Sequence, residues 1–389
     1  MTDALTKGRI AAVAFVTFVL MMPETLPVPV LRALVRERFG VGDGLASLFM
    51  TANMIGALLA APLAGSWVDA RGGRRRLALF ALGADALLMQ ALAHPHDYAT
   101  FLLLRVFEGA AHIVALTMVM SLVADAAGSA RGRALGPLGA GLTLGVAAGA
   151  AIGGRIGRDD PLLTLHAASL LLVAALGLAV FALPPDAPPT RRASARELLA
   201  AVRHRPELRT PLLVAAVERF TVGFFTTGFP LMLAGVFRVD RPRIGMLLGA
   251  FLFPFAILSW PAGLLAPKWT ARRMVLAGSV AYGVGVALVP FAPLPWTWAL
   301  MPWLGVCSAV MFVPSMLWLL ERAEGIGRST AIASFHAAGS LGFLLGPVCC
   351  GTLVELGGGA MHGYELAFAF AGASVLASAL LVRRSARAG

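Results

Sequence analysis

Charged residues are scarce in this sequence. They make up 13% of its 389 residues, while 58% are hydrophobic, against about 25% charged and about 45–50% apolar in soluble domains. A chain this apolar cannot cover a water-facing surface, which excludes an ordinary soluble protein. Cysteine is nearly absent: Cys307, Cys349 and Cys350 fall in apolar stretches, without paired or metal-ligand spacing. That excludes a disulfide framework and gives no metal site, leaving a packing role for buried thiols. A phosphate-cradling G-x-x-x-x-G-K-[ST] loop is missing, and no polar segment is large enough to hold an enzyme domain. Direct ATP drive, enzymatic catalysis and a cofactor are therefore not expected. The apolar runs do not alternate with a period of two, which argues against a barrel.

What the sequence has is long apolar runs. They lie near 10–31, 44–67, 77–94, 98–124, 136–156 and 162–183, then near 211–236, 244–266, 274–291, 297–320, 329–354 and 366–382. Each matches the roughly 20 residues of a spanning helix, whose backbone hydrogen bonds close internally. The expected fold is an all-α membrane protein of twelve transmembrane helices. Lys7 and Arg9 precede the first run as they would in a secretion signal, but no A-x-A site follows. It reads as a retained helix, and Pro23, Pro27 and Pro29 should kink it or finish it in extended form.

The net charge of +12 raises the question of nucleic acid. With both termini cytoplasmic, most Lys and Arg fall in the inner segments, few in the outer loops, and only Arg105 and Arg219 within spans. The basic balance is thus topology, plus attraction to anionic lipid of the inner leaflet. The expected location is the cell inner membrane, with no nucleic-acid partner.

The longest polar stretch, 184–210, joins an N-terminal six-helix bundle (1–183) to a C-terminal one (211–389). Its prolines Pro184, Pro185, Pro188 and Pro189 break any helix. From Ser194, an N-cap candidate with Glu197 as its reciprocal partner, a short basic helix should run on the inner leaflet to Pro206. The halves echo each other. Gly65-Ser66-Trp67-Val68-Asp69-Ala70-Arg71-Gly72-Gly73-Arg74-Arg75-Arg76-Leu77 follows the second span, and a degenerate copy from Gly263 to Arg273 follows the eighth. Two pseudo-symmetric six-helix repeats around a central site is a common plan for secondary transporters.

The first of these segments resembles the loop signature of the major facilitator superfamily, G-x-L-a-D-r-x-G-r-k-x-x-l, with Gly65, Asp69, Gly72, Arg74 and Leu77 in register. Trp67, Ala70 and Gly73 depart from it. Leu104 to Gly109 resembles the family's R-x-x-q-G pattern with Glu108 for glutamine. On the fifth span Gly136, Gly145, Gly149, Gly153 and Gly154 reproduce G-x8-G-x3-G-P-x2-G-G, with Ala150 where proline is usual. That pattern resembles the drug:proton antiporter branch. The resemblance implies that Asp69, with Gly65, Gly72 and Arg74, forms an inner gate latch, closing on the N-terminus of the eleventh helix. A solvated Asp69 paired to Arg71 or Arg74 is the plainer reading.

Gly141, Gly145, Gly149 and Gly153 recur every four residues, so they form one helix stripe. It suits either tight static packing or sliding against the other half, or both; Gly339, Gly342, Gly346 and Pro347 on the eleventh span could serve similarly. Ionisable groups within spans are functional candidates by default. Glu24 and Arg105 both lie ~10 Å below the outer surface at ~1.5 Å rise per residue, so they can pair. Arg105, Glu108 and His112 share one helix face. Burial disfavours the charged form of a carboxylate and a nearby cation favours it, so Glu24 and Glu108 are expected as proton or cation sites tuned by Arg105. His112 alone reads more simply as a satisfied buried histidine. Asp85 should be structurally paired. Of Glu218 and Arg219, Glu218 is the better cavity candidate, with His336, Asn53 and Trp260 weaker.

The expectation is a monomeric, proton-coupled exporter of a small, partly apolar molecule, with protons and membrane lipid as partners. An uncoupled facilitator or importer on the same fold, and a non-transporting receptor or lipid-handling protein, remain alternatives.

Overall fold

The computed structural model describes residues 6–127, 131–186, 203–323 and 328–384, and among them every regular element is helical. In the first half α1 is Lys7–Thr25, α2 Asp43–Arg71, α3 Arg74–Ala91, α4 Tyr98–Ala127, α5 Arg131–Ile156 and α6 Leu162–Ala182. In the second, α7 is Arg209–Thr226, α8 Gly228–Gly235, α9 Arg241–Trp269, α10 Ala271–Leu288, α11 Leu294–Arg322, α12 Arg328–Leu356 and α13 Met361–Arg384. Among the described residues 11 segments are long and apolar enough to cross a membrane. The expected third span falls on α3, which carries Arg74, Arg75, Arg76 and Asp85 within 18 residues and stands outside that set.

Two expectations about helix ends are corrected. The first helix does not finish in extended form: Pro23 sits inside α1, and the chain continues through a 3-10 turn at Val28–Val30 into a π-helix at Arg32–Glu37. Pro29 is tolerated because the first N–H groups of such a turn have no internal partner. The seventh span is broken, because Thr227 (φ −126°, ψ −67°) separates α7 from α8. The Thr227 hydroxyl, fully buried, donates to the Gly223 carbonyl at 2.5 Å. Gly72 and Gly73 turn the chain between α2 and α3 at φ +71° and +82°, a region that glycine enters without steric cost. Asp97 accepts from the Thr100 N–H at 2.8 Å at the start of α4, and that bond holds its carboxyl below the usual carboxylate range. The expected linker helix from Ser194 lies largely outside the described residues.

The chain forms two compact units that are not simply its sequence halves. The first comprises Met1–Val41, Ala52–Arg191 and Asp240–Gly249; the second comprises Gly42–Thr51, Arg192–Val239 and Ala250–Gly389. Hydrogen bonds explain the two exchanged segments. Within the first unit Arg241 donates to the Gly157 and Arg158 carbonyls at 2.9 and 3.0 Å. Within the second, Tyr364 donates to Asp43 at 2.8 Å, and the Gly44 N–H donates to Glu355 at 3.1 Å.

Inside the first unit α1 packs along α5, and α3 along α4 and α6; inside the second, α7 packs along α12, and α10 along α11 and α13. Both long contacts use the same device. A Cβ at Gly141, Gly145, Gly149 or Gly153 would collide with the carbonyl of Ala14, Phe18, Met22 or Leu26 on α1, one turn after another. At Gly342 and Gly346 on α12 it would collide with the carbonyls of Ala216 and Phe220 on α7. Close backbone approach through small residues is what drives helix association in lipid. Phe224, Phe225 and Phe229 pack internally with Phe251 and Phe368. Cys307 and Cys350 are buried free thiols, and Cys349 is half-buried.

Candidate functional site

Four helices of the first unit bring polar groups to one place, three of them bringing charge. Glu24 comes from α1, just after Pro23, which has no N–H for the carbonyl of Val19. Asn53 comes from α2, Asp85 from α3, and Arg105, Glu108 and His112 from one face of α4. Arg105 and Glu108 are fully buried, and the Arg105 guanidinium binds the Glu108 carboxylate directly. Asn53 donates to the same Glu108 oxygen at 3.0 Å. Arg105 Nη2 lies 3.9 Å from Glu24 Oε1, so one guanidinium faces both carboxylates. His112 closes the other side: its Nδ1 is 2.8 Å from Asp85 Oδ2, and its Nε2 is 3.9 Å from Glu24 Oε2.

Three carboxylates therefore face one guanidinium and one imidazole, all of them buried or nearly so. Glu24 Oε2, Asp85 Oδ1, Glu108 Oε1 and His112 Nε2 are buried and make no hydrogen bond among the described residues. Leaving such atoms unpaired is costly. Glu24 Oε2 and His112 Nε2 stand 3.9 Å apart, beyond hydrogen-bond reach of each other.

The structure thus joins Glu24, Arg105, Glu108 and His112, as the sequence suggested, and adds two groups. Asp85 is paired, but its partner is His112, so it belongs to the cluster rather than to a separate site. Asn53, a weak candidate from sequence, orients Glu108.

Glu218 stands in the second unit, on α7. It is 2% exposed and accepts from the Ser308 hydroxyl on α11 at 3.0 Å. Thr221, one turn on, lies 3.2 Å from the buried Tyr282 hydroxyl of α10. Arg219, rather than Glu218, is the more open of the two, its side chain 30% exposed. His336 is exposed, and Trp260 is 74% exposed.

Of the gating residues, Gly65 has open space around it and Gly72 takes the positive φ of the turn. The side chain of Asp69 lies outside the described residues. Arg74 is buried, its Nε 3.6 Å from Asp125 near the C-terminal end of α4. Asp125 was not singled out from sequence, because nothing in its spacing links it to a residue 51 positions away. The glycines of the antiporter-like pattern divide by surroundings. Gly145, Gly149 and Gly153 face α1 of their own unit, which supports the packing reading of the stripe. Gly154 faces the Arg241 carbonyl, and Gly136 has nothing within 4 Å.

The sequence profile described as Major Facilitator Superfamily matches residues 13–233 and 211–388. The chain belongs to the major facilitator superfamily. No curated protein matches it significantly in sequence. Among solved structures, the nucleoside transporter NupG is similar at a TM-score of 0.78 and 14% identity, over 97% of this chain and 98% of that one. A D-xylose–proton symporter matches at 0.75 and 14%, over 96% and 97%. A bacterial homologue of the human lysosomal transporter Spinster matches at 0.76 and 15%, over 100% and 96%. At these identities the likeness is one of fold. This superfamily member is a multi-pass membrane protein with a transporter fold.

Within that fold, Glu24, Glu108 and His112 each bring a ligand atom within 4.8 Å of the others, a spacing a cation can bridge. Arg105 already sets its positive charge against both of these carboxylates. The group therefore reads as an ion-pair network, and no metal is assigned to it.

Proposed function

We propose that this superfamily member is a proton-coupled exporter of the drug:proton antiporter type, moving a small, partly apolar molecule by alternating access. One observation carries the reading. Glu24, Asp85 and Glu108 share a buried site with Arg105 and His112, and four acceptor-side atoms there, one on each carboxylate and one on the imidazole, make no hydrogen bond among the described residues. Arrival of a proton and arrival of substrate are competing ways to relieve that imbalance, and competition for one site is what couples opposite fluxes.

In this reading both termini are cytoplasmic and twelve helices, α3 included, cross the inner membrane. Bundles 1–183 and 211–389 move about the 184–210 linker. The chain works as a monomer in contact with lipid, and catalyses no reaction. Arg105 holds the charge balance, Glu24 and Glu108 carry the exchanged proton, and Glu218 is a secondary polar site. Gly65, Asp69, Gly72 and Arg74 serve the inner gate.

The test is substrate movement in reconstituted vesicles with and without an imposed pH gradient. Accumulation against the substrate gradient that stops when an uncoupler collapses the pH difference supports antiport. Equal movement with and without the pH difference contradicts it and establishes a facilitator.

A further inference from the structure

Arg219 is a basic, partly open side chain well inside a span of the second unit, and the first site does not use it. It stands near the middle of the span Pro206–Gly235. An arginine at that depth is expensive unless it faces a water-filled path or a partner. Among the described residues its one ion-pair partner, Glu218, holds it loosely, since Arg219 Nε lies 3.6 Å from Glu218 Oε2, beyond hydrogen-bond reach. The other Glu218 oxygen is anchored by Ser308 at 3.0 Å. Glu218 thus offsets part of the charge without occupying the guanidinium fork, and no hydrogen bond from the Arg219 terminal nitrogens is found among the described residues.

The surroundings hold that fork in place. The guanidinium carbon lies over the Phe312 ring, 4.4 Å from its centroid, a cation–π contact. A ring on one side restrains the guanidinium and leaves its terminal nitrogens able to meet a carboxylate, which a guanidinium accepts through two parallel bonds. Gly339 on α12 makes the room, because a Cβ there would sit 3.0 Å from Arg219 Cγ. Phe312 continues into a row of rings, with Phe255 at 5.7 Å and Phe335 at 5.8 Å between centroids. One held cation therefore stands at the edge of an apolar wall.

We infer that Arg219 and Phe312 form the anion-recognition subsite for substrate, so that the transported molecule is an amphipathic organic anion, a carboxylate on an aromatic or alkyl body. The carboxylate binds the Arg219 fork, and the apolar body lies along the Phe312 face. Arg105 offers no such place, because Glu108 and Glu24 already face its guanidinium. The inference rests on the transport reading for its role and deepens it by naming the substrate class.

The experiment measures equilibrium binding of two matched pairs to the purified full-length protein: 1-naphthylacetate against 1-naphthylacetamide, and 4-phenylbutyrate against 4-phenylbutyramide. A bidentate charge-assisted contact predicts a preference of about tenfold or more for each carboxylate. In Arg219→Gln that preference disappears, and in Arg219→Lys, which keeps the charge and loses the fork, it falls between. Monodispersity and helical content of the variants show that the fold is kept, and Phe312→Leu weakens carboxylate and amide together. Equal affinity for carboxylate and amide in the unsubstituted protein overturns the proposal. So do absence of saturable binding by either carboxylate and a preference that survives Arg219→Gln. A carboxylate preference that depends on Arg219, without proton movement, keeps this subsite and rejects the proton coupling instead.

Discussion

Arg105→Gln abolishes transport and destabilises the folded protein by about 3–5 kcal/mol, the scale seen when one partner of a buried ion pair is removed. Arg105 is fully buried, binds Glu108, and stands 3.9 Å from Glu24. Glutamine can hydrogen-bond one of these carboxylates but neutralises neither. Glu108, fully buried, then keeps the neutral Asn53 amide as a donor but no cation against its charge. Arg105→Lys keeps the charge, yet its single ammonium cannot reach two carboxylates from opposite edges as the fork does. It should retain most of the stability and only part of the transport rate. The double variant Arg105→Gln with Glu108→Gln removes both charges together. Its stability returns toward the original while transport stays absent, which separates holding the fold from coupling the ion. Unfolding in detergent and flux in vesicles read the two effects. A single Arg105→Gln variant with unchanged melting temperature and rate would contradict the account of the cluster.

Gly149→Val is the second large effect. A Cβ at Gly149 would meet the Met22 carbonyl and the Thr25 hydroxyl. Those two residues flank Glu24, and Thr25 is itself bonded to the Val146 carbonyl of α5 at 2.7 Å. Backbone cannot yield as a side-chain tip can, so valine must push α1 off α5 at a cost of about 1–3 kcal/mol or more. The displacement carries Glu24 away from Arg105, and coupling is lost with stability. Gly136 lies on the same helix and in the same sequence pattern, with nothing within 4 Å. Gly136→Ala should therefore leave transport intact and stabilise by up to ~1 kcal/mol, the ordinary gain of alanine over glycine in a helix. Melting temperatures of the two variants, shifted in opposite directions, check both claims. Equal effects would mean that the pattern acts by something other than close approach.

The reach of the sequence follows from what is periodic in it. Apolar length located the helices, and glycine spacing marked α5 and α12 as sites of close approach without naming the helices they meet, because both are local patterns written along one helix. Arg105, Glu108 and His112 shared a face for the same reason. Matched depth on antiparallel helices was enough to bring Glu24 to Arg105. What escaped was lateral placement. Asp85 sits on a helix whose facing could not be read from one sequence, so its bond to His112 was not foreseen. Arg74 and Asp125 pair across α3 and α4 with no motif to connect them. Adjacent residues Glu218 and Arg219 point about 100° apart, but which one stayed open depended on Ser308 holding Glu218 and on Gly339 making room for Arg219. Helix ends were also beyond reach. The prolines after Glu24 suggested extended chain, yet the 3-10 and π turns kept it helical, since proline costs little where no internal hydrogen bond is due.

The most direct test of the coupling claim is proton release from reconstituted, inside-acidified vesicles on addition of a compound panel that includes 1-naphthylacetate, comparing the unsubstituted protein with Glu24→Gln. Glutamine keeps the size of Glu24 and removes its exchangeable proton. The account predicts compound-triggered proton flux that vanishes in Glu24→Gln while compound binding persists. Flux unchanged in Glu24→Gln, or compound movement with no proton flux in either protein, would contradict it.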